Sequence, residues 1–117
     1  YVKPVLALLK AGVRIRSISH ITGGGFYENI PRSLAEGMTA RIERSAVRLL
    51  PIFEIIAREG GIPERDMFNT FNMGVGMCLT VAAEDVDLAL DSLADAGENG
   101  AYALGEIVRG EGGIELC

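Results

Sequence analysis

Residues 20–32 read His-Ile-Thr-Gly-Gly-Gly-Phe-Tyr-Glu-Asn-Ile-Pro-Arg and concentrate the groups that can do chemistry. In regular structure each glycine costs roughly 0.5–1 kcal/mol relative to alanine, so three cost about 2–3 kcal/mol. Either a tight turn with positive φ requires Gly23, Gly24 and Gly25, or a ligand approaches their bare amides. If a helix begins there, its unpaired N–H groups favour phosphate or carboxylate. The run is neither a Walker loop nor a dinucleotide fingerprint.

The residues that flank the glycines have two interpretations each. His20, the only histidine, is either partly buried against a backbone group or a hydrogen-bond donor to a substrate. Thr22 either caps the following helix or contacts a ligand through its hydroxyl. Arg32 is either a bidentate anion clamp or a solvated side chain. Asn29 either binds a ligand or bonds to nearby backbone.

A second glycine-containing run, Phe-Asn-Met-Gly-Val-Gly-Met, covers residues 71–77. Gly74 and Gly76, spaced by two on a predicted strand, would leave one strip of the sheet bare. That strip permits either tight packing or the approach of a ligand. Asn72, at the predicted strand entrance, is a weaker candidate for substrate binding.

Charge and cysteine content exclude several classes of protein. The net charge of −5 and the pI near 4.8 give no basic footprint for nucleic acid. No apolar run reaches the roughly 18 residues of a membrane span. Cys78, a predicted small core residue, and Cys117 form neither a disulfide framework nor a metal-binding spacing. The acids, among them Asp85, are predicted to be solvated, so we expect no metal ligands in this chain. The absence of a disulfide framework fits a cytoplasmic protein.

The 117 residues suit one domain, 1–117. An apolar content of 49% and a mean hydropathy of +0.27 are high for a small soluble domain. We therefore expect some apolar surface to face another domain or subunit. The start at Tyr1 is read as a cut into a longer chain.

Periodicity predicts a mixture of helices and strands, an α+β fold with a mixed sheet covered by helices. The predicted helices lie near Pro4–Gly12, over Phe26–Leu34 as far as Pro31 allows, from Pro51 to Gly60 with Leu49, Ile52, Phe53 and Ile56 buried, over Glu64–Phe71, and over Val86–Ala94 before Gly97. The predicted strands are Val13–Ser19, Thr39–Glu43, Val75–Val81 as a central strand, and Tyr102–Val108 and Gly113–Leu116 joined by a glycine turn.

The chain resembles the C-terminal domain of the phosphoribosylformylglycinamidine cyclo-ligase family, also called aminoimidazole ribonucleotide synthetases. Four segments carry the resemblance in order: Tyr-Val-Lys at 1–3, the run at 20–32, Thr-Phe-Asn-Met-Gly-Val-Gly-Met at 70–77, and Ala-Gly-Glu-Asn at 96–99. The run His-x-Thr-Gly-Gly-Gly-x-x-Glu-Asn-x-Pro-Arg is the most specific. Met73 departs from the family, which often has a small residue or cysteine there.

The resemblance implies an ATP-dependent ligase that closes the imidazole ring of formylglycinamidine ribonucleotide in purine biosynthesis. ATP and Mg²⁺ would be held mainly by an N-terminal domain absent from this chain, with no cofactor tightly bound here. The enzyme would be a homodimer, inactive as this fragment, with the ribonucleotide between its domains. His20 would contact or polarise the substrate and Gly23–Gly25 would cradle an anion. Further substrate-binding positions would be Thr22, Asn29, Arg32 and Asn72.

Two other functions compete with this interpretation. The chain could belong to a related synthetase or kinase, such as selenophosphate synthetase, thiamine-monophosphate kinase or formylglycinamidine ribonucleotide synthetase, although the extended turn motif is not expected there. It could also be a stand-alone, non-catalytic anion-binding domain. We expect this chain to have neither nucleic acid nor a membrane as a partner.

Overall fold

The computed structural model describes residues 2–117, and over that range it confirms the predicted α+β class. The helices are α1 (Val2–Lys10), α2 (Gly25–Asn29), α3 (Pro51–Gly60), α4 (Glu64–Thr70) and α5 (Val86–Asp95). The strands are β1 (Ile15–His20), β2 (Met38–Ile42), β3 (Met77–Val81), β4 (Gly105–Arg109) and β5 (Ile114–Leu116). Short 3-10 helices cover Pro31–Ser33, Arg44–Ala46 and Ala83–Asp85. Tyr1, at the start of one resemblance segment, lies outside the described residues.

The chain divides into two compact units. The first unit comprises residues 2–17 and Leu79–Ala103, and the second comprises Ile18–Cys78 and Leu104–Cys117. Each has a buried apolar cluster of its own. All candidate site residues, 20–32 and Asn72, belong to the second unit.

The first unit buries one side each of α1 and α5. Its buried cluster consists of Leu8, Val13 and Ala89. Leu8 is completely buried, whereas Leu6 and Leu9 on the same helix are about half exposed, at 49% and 56%. The helix was therefore predicted correctly, but part of its apolar surface is left uncovered within this unit.

A paired carboxylate joins the residue before β1 to the start of α5. The backbone N–H of Arg14 donates to Asp85 Oδ2 at 2.9 Å, and Arg14 Nε donates to the same oxygen at 3.0 Å. The hydrogen bond from the guanidinium holds the pKa of the Asp85 carboxyl below its usual value. Asp85 is thus an ion-paired group, and the sequence did not predict its pairing with Arg14.

The sheet of the second unit is mixed, as predicted, with the strand order β4-β2-β5. β2 pairs antiparallel with β4, so that Met38 lies opposite Arg109, and parallel with β5, so that Ala40 lies opposite Ile114. β4 and β5 follow one another in sequence, yet they flank β2 instead of pairing with each other. The buried side of this sheet contributes Ala40 and Ile42 to the core.

α3 begins at Pro51 and ends before Gly61, which adopts φ 59°. Its buried face differs from the prediction, because Ile52 is 51% exposed. Phe53 and Ile56 do pack against the core cluster, together with Ala57. The periodicity located the helix, but α3 buries a face rotated away from Ile52.

β3 pairs with β1 in a two-stranded sheet, so its predicted position as a central strand over Val75–Val81 is wrong. It starts only at Met77, and each of its five residues is half-buried. Cys78 packs against the core cluster, as predicted, and burial raises the pKa of its thiol to about 11. Within residues 2–117, no helix has the length and apolarity that a membrane crossing requires.

Candidate functional site

His20 ends β1 and stands next to a buried anchor. Exposure alternates here: Ser19 and Ile21 are buried, whereas His20 and Thr22 are exposed. This is the alternation of extended chain, in which successive side chains point to opposite sides. The N–H of Ile21 donates to the carbonyl of Gly76 at 2.9 Å. His20 and Thr22 therefore share one solvent-facing side, and the interpretation of His20 as partly buried is wrong.

Residues 22–25 form a turn, the first glycine turn, whose last glycine is required by packing. Gly25 adopts φ 58°, and a side-chain carbon there would collide with the carbonyl oxygen of Phe68. The same carbon would lie 2.7 Å from the carbonyl oxygen of Phe71. Only a residue without Cβ lets α2 approach α4 this closely.

The other two glycines of the turn have different surroundings. Gly24 precedes α2 with φ 105°, and a side-chain carbon there would collide with the carboxylate of Glu28. At Gly23 φ lies outside the left-handed region, and an added carbon would meet no atom within 4 Å. Turn geometry therefore accounts for Gly24, packing accounts for Gly25, and Gly23 is the glycine left open to a ligand.

Asn29 is only 7% exposed and holds the first glycine turn from inside. Its Nδ2 donates to the carbonyl of Gly25 at 2.9 Å and to those of Thr22 and Gly23 at 3.4 Å each. Its Oδ1 accepts from the Thr22 hydroxyl at 3.4 Å. Of the two interpretations of Asn29, the structure contains the hydrogen bonding to nearby backbone.

Thr22 does not cap α2, so that interpretation is wrong. Gly24 holds the N-cap position, and no side chain caps the helix. Arg32 lies on the 3-10 helix Pro31–Ser33 and is exposed. Among residues 2–117 it forms no ion pair. Its charge is therefore available in solution on the chain segment that follows α2.

Two charged residues, one on α2 and one on the neighbouring α4, were missing from the predicted candidates. The Glu28 carboxylate lies against Gly24, and the guanidinium carbon of Arg65 lies 4.2 Å from the centroid of the Tyr27 ring. The second contact is a cation–π interaction between α4 and α2. Glu28 could have been suspected as an acid inside an anion-binding run, whereas no sequence signal pairs Arg65 with Tyr27.

Residues 72–76 form the second glycine turn, immediately before β3. Asn72 Oδ1 accepts from the N–H of Gly74 at 2.9 Å, which closes the turn locally. Met73 and Gly74 both have positive φ, 53° and 87°. Gly74 and Gly76 were predicted to lie on a strand, and that placement is wrong. The Gly76 carbonyl nevertheless brings this turn beside the segment that carries His20 and Thr22.

The site has hydrogen-bonding groups but no metal-binding cluster. Within the described part of the chain, no group of three His, Cys, Asp or Glu residues is arranged to hold a metal ion. The exposed His20 imidazole and the amides of the first glycine turn can donate hydrogen bonds to an anionic, polar molecule, and Arg32 adds an exposed positive charge on the segment after α2.

A family model described as AIR synthase related protein, C-terminal domain, matches residues 1–116. This chain belongs to that family. The match spans all four resemblance segments and confirms the resemblance inferred from the sequence.

Three of the curated relatives of this chain share one name, phosphoribosylformylglycinamidine cyclo-ligase. A protein of Lachnospira eligens named phosphoribosylformylglycinamidine cyclo-ligase is 47% identical over the whole chain and 34% of its own length. Proteins with that name from Lachnoclostridium phytofermentans and Caldanaerobacter subterraneus are 49% and 48% identical over 100% and 99% of the chain. These matches also cover 34% of each relative, so the chain spans about a third of the length of the curated relatives it matches.

Proposed function

We propose that the protein containing this chain is an ATP-dependent cyclo-ligase that converts formylglycinamidine ribonucleotide to aminoimidazole ribonucleotide in purine biosynthesis. The observation that carries this proposal is the 47% identity, over all 117 residues, to a protein named phosphoribosylformylglycinamidine cyclo-ligase. The chain is similar to such proteins along its entire length. It would therefore serve as the C-terminal domain of the enzyme.

In this proposal the chain binds and orients the ribonucleotide. The exposed imidazole of His20 donates a hydrogen bond to the substrate and polarises it. The 5′-phosphate lies against the first glycine turn at Gly23, where no side chain obstructs its approach. Arg32 adds a positive charge that complements the phosphate, since guanidinium–phosphate hydrogen bonds are among the stronger ones in proteins.

ATP and Mg²⁺ would be held by an N-terminal domain of the same protein. Mg²⁺ is bound through carboxylates together with the phosphates of a nucleotide. Within residues 2–117, no group of three potential metal ligands is arranged to hold a metal ion, which favours a magnesium site elsewhere in the complete protein. We further propose that the enzyme is a cytoplasmic homodimer, and light scattering of the complete protein tests the dimer.

The reaction is tested on the complete natural protein. With formylglycinamidine ribonucleotide and ATP it should form aminoimidazole ribonucleotide, whereas residues 1–117 alone should not. His20→Ala should lower kcat/KM for ring closure by about 10- to 100-fold, the loss expected when a hydrogen bond to a charged or polarised group disappears. His20→Gln, which retains a side-chain donor, should retain more of the activity.

The alternatives have distinct outcomes in the same assay. An unchanged kcat/KM in His20→Ala would remove His20 from the proposed site. A complete protein that forms no aminoimidazole ribonucleotide but phosphorylates thiamine monophosphate or consumes selenide would belong to the related kinases or synthetases. To test the proposed phosphate contact at the first glycine turn, Gly23→Ala is the appropriate substitution. Gly24→Ala is unsuitable because it would strain a residue with φ 105°.

A further inference from the structure

The orientation of the Asn29 side-chain amide is fixed by its partners. The carbonyl oxygens of Thr22, Gly23 and Gly25 lie within 3.4 Å of Nδ2. A carbonyl oxygen only accepts, so the amide nitrogen must be the atom that faces all three. The remaining atom, Oδ1, then accepts from the Thr22 hydroxyl. Asn29 therefore acts as a donor toward the turn.

Because the peptide group is planar, the direction of a carbonyl that bonds to Asn29 also fixes the direction of the N–H in the same peptide group. In a trans peptide the C=O of one residue and the N–H of the next point in opposite directions. Asn29 draws the carbonyls of Thr22 and Gly23 toward itself. The N–H groups of Gly23 and Gly24 must then point away from Asn29. Both amides are then available to an anion on the side of the turn opposite Asn29.

The hydrogen bonds within the turn leave these same two amides unused. The N–H of Gly25 donates to the carbonyl of Thr22 at 3.0 Å. For the N–H groups of Gly23 and Gly24, the structure contains no acceptor among residues 2–117. Gly23 is exposed, and the Glu28 carboxylate lies on the Gly24 side, so the approach is open at Gly23.

We propose that Asn29 is a positioning residue, which turns the amides of Gly23 and Gly24 toward the phosphate of the substrate without touching the substrate itself. The identity of that substrate rests on the proposed function, whereas the orientation of the amides does not. A direct substrate contact by Asn29 would require its Nδ2 to leave the carbonyls that it binds. The burial of Asn29 also removes it from the solvent side of the turn.

The test uses the complete protein labelled with ¹⁵N at glycine and titrated with inorganic phosphate. Phosphate should shift the amide resonances of Gly23 and Gly24. In Asn29→Ala the apparent Kd for phosphate should rise at least about tenfold, consistent with misplacing two amides that bind a charged group. Asn29→Asp preserves the side-chain shape but cannot donate, so it should bind phosphate no better than Asn29→Ala.

Ile30→Val is the matched control for stability. Ile30 is a core residue 6% exposed, and this change lowers stability modestly without removing a side-chain hydrogen bond. It should leave the Kd for phosphate within about twofold. An equal loss in Ile30→Val, an unchanged Kd in Asn29→Ala, or glycine resonances that do not respond to phosphate in the natural protein would each overturn the proposal.

Kinetics on the same preparations separate this proposal from the proposed function. Asn29→Ala should raise KM for formylglycinamidine ribonucleotide more than it lowers kcat, because the phosphate is remote from the ring that closes. A protein that binds phosphate at Gly23 and Gly24 but closes no imidazole ring would overturn the proposed function alone. Ring closure without a phosphate response at these glycines would overturn the positioning role alone.

Discussion

The first and second glycine turns both contain glycine with positive φ and both bond to an asparagine side chain, yet the two asparagines act in opposite ways. Asn72 accepts from the N–H of Gly74 and so consumes an amide of its own turn. Asn29 donates to three carbonyls and leaves the amides of Gly23 and Gly24 unused. A residue type at a turn therefore does not indicate a ligand site, because the direction of its hydrogen bonds decides whether donors stay available.

The glycines of the two turns also differ in what requires them. Gly25 is required by a close approach of backbone to backbone, since the Phe68 carbonyl occupies the position of a side chain. At Gly74 the nearest backbone atom, the Arg48 carbonyl oxygen, would lie 3.3 Å from an added carbon. The backbone of the first turn is therefore the more tightly constrained of the two.

The largest expected effect is on stability and distinguishes Gly25 from Gly74. Gly25→Ala should lower the free energy of unfolding by about 2–5 kcal/mol, which combines left-handed backbone strain with overpacking. Gly74→Ala should cost about 1–2 kcal/mol, mainly from strain. Urea denaturation of the chain measures both, with Gly23→Ala as a control expected within about 1 kcal/mol of the natural chain. A larger loss at Gly74 than at Gly25 would reverse the comparison.

A smaller effect is expected on the rate at which Cys78, which follows the second glycine turn, is alkylated. Because burial raises the pKa of its thiol to about 11, only roughly one thiol in a thousand is ionised at pH 8, and alkylation should be slow. Asn72→Ala removes the bond to Gly74, worth about 1 kcal/mol, and should speed labelling of Cys78 about fivefold.

Labelling is followed by mass spectrometry in a Cys117→Ser background, which leaves one thiol. Asn29→Ala provides the matched comparison, because it alters the other turn and should leave the labelling rate within about twofold. Similar acceleration by both variants would mean that the two turns open together.

The smallest expected effect concerns the charge beside the first turn. The Glu28 carboxylate lies against Gly24 and repels an anion held by the adjacent amides. Glu28→Gln should therefore strengthen phosphate binding about two- to fivefold at low ionic strength, with the gain shrinking as salt screens the repulsion. Calorimetric titration of the natural protein and Glu28→Gln with phosphate at two salt concentrations measures this gain. Weaker binding in Glu28→Gln would instead make the carboxylate a contributor to the site.

Local patterns predicted most of the elements. The apolar spacing located α5, and the alternation around Ala40 located β2, because both depend on neighbours in sequence. The strand order β4-β2-β5 was not predictable, because no local sequence pattern indicates that β4 and β5 pair with a strand more than 60 residues earlier in the chain. The predicted face of α3 failed at Ile52 for a similar reason, because the neighbouring elements determine how wide a buried stripe becomes.

The site was predicted as a segment but not as an arrangement. Residues 20–32 were singled out through their composition and their resemblance to a family. The separate reasons for the three glycines were invisible, because the Phe68 carbonyl that requires Gly25 comes from a distant helix. The bonds of Asn29 reach only four to seven residues back, yet the sequence does not reveal whether its amide donates or accepts.

The central position of β2 has a consequence for biosynthesis. Both of its partners, β4 and β5, are made long after Met38–Ile42 has been translated. At about 5–20 residues per second, the interval between residue 42 and residue 116 lasts roughly 4–15 s. Both edges of β2 lack their native partners until residue 109 has been made, and the edge that pairs with β5 lacks its partner until residue 116. The nascent second unit must therefore wait for its last strand, and a pause in translation before residue 114 would prolong its exposure to chaperones and to aggregation.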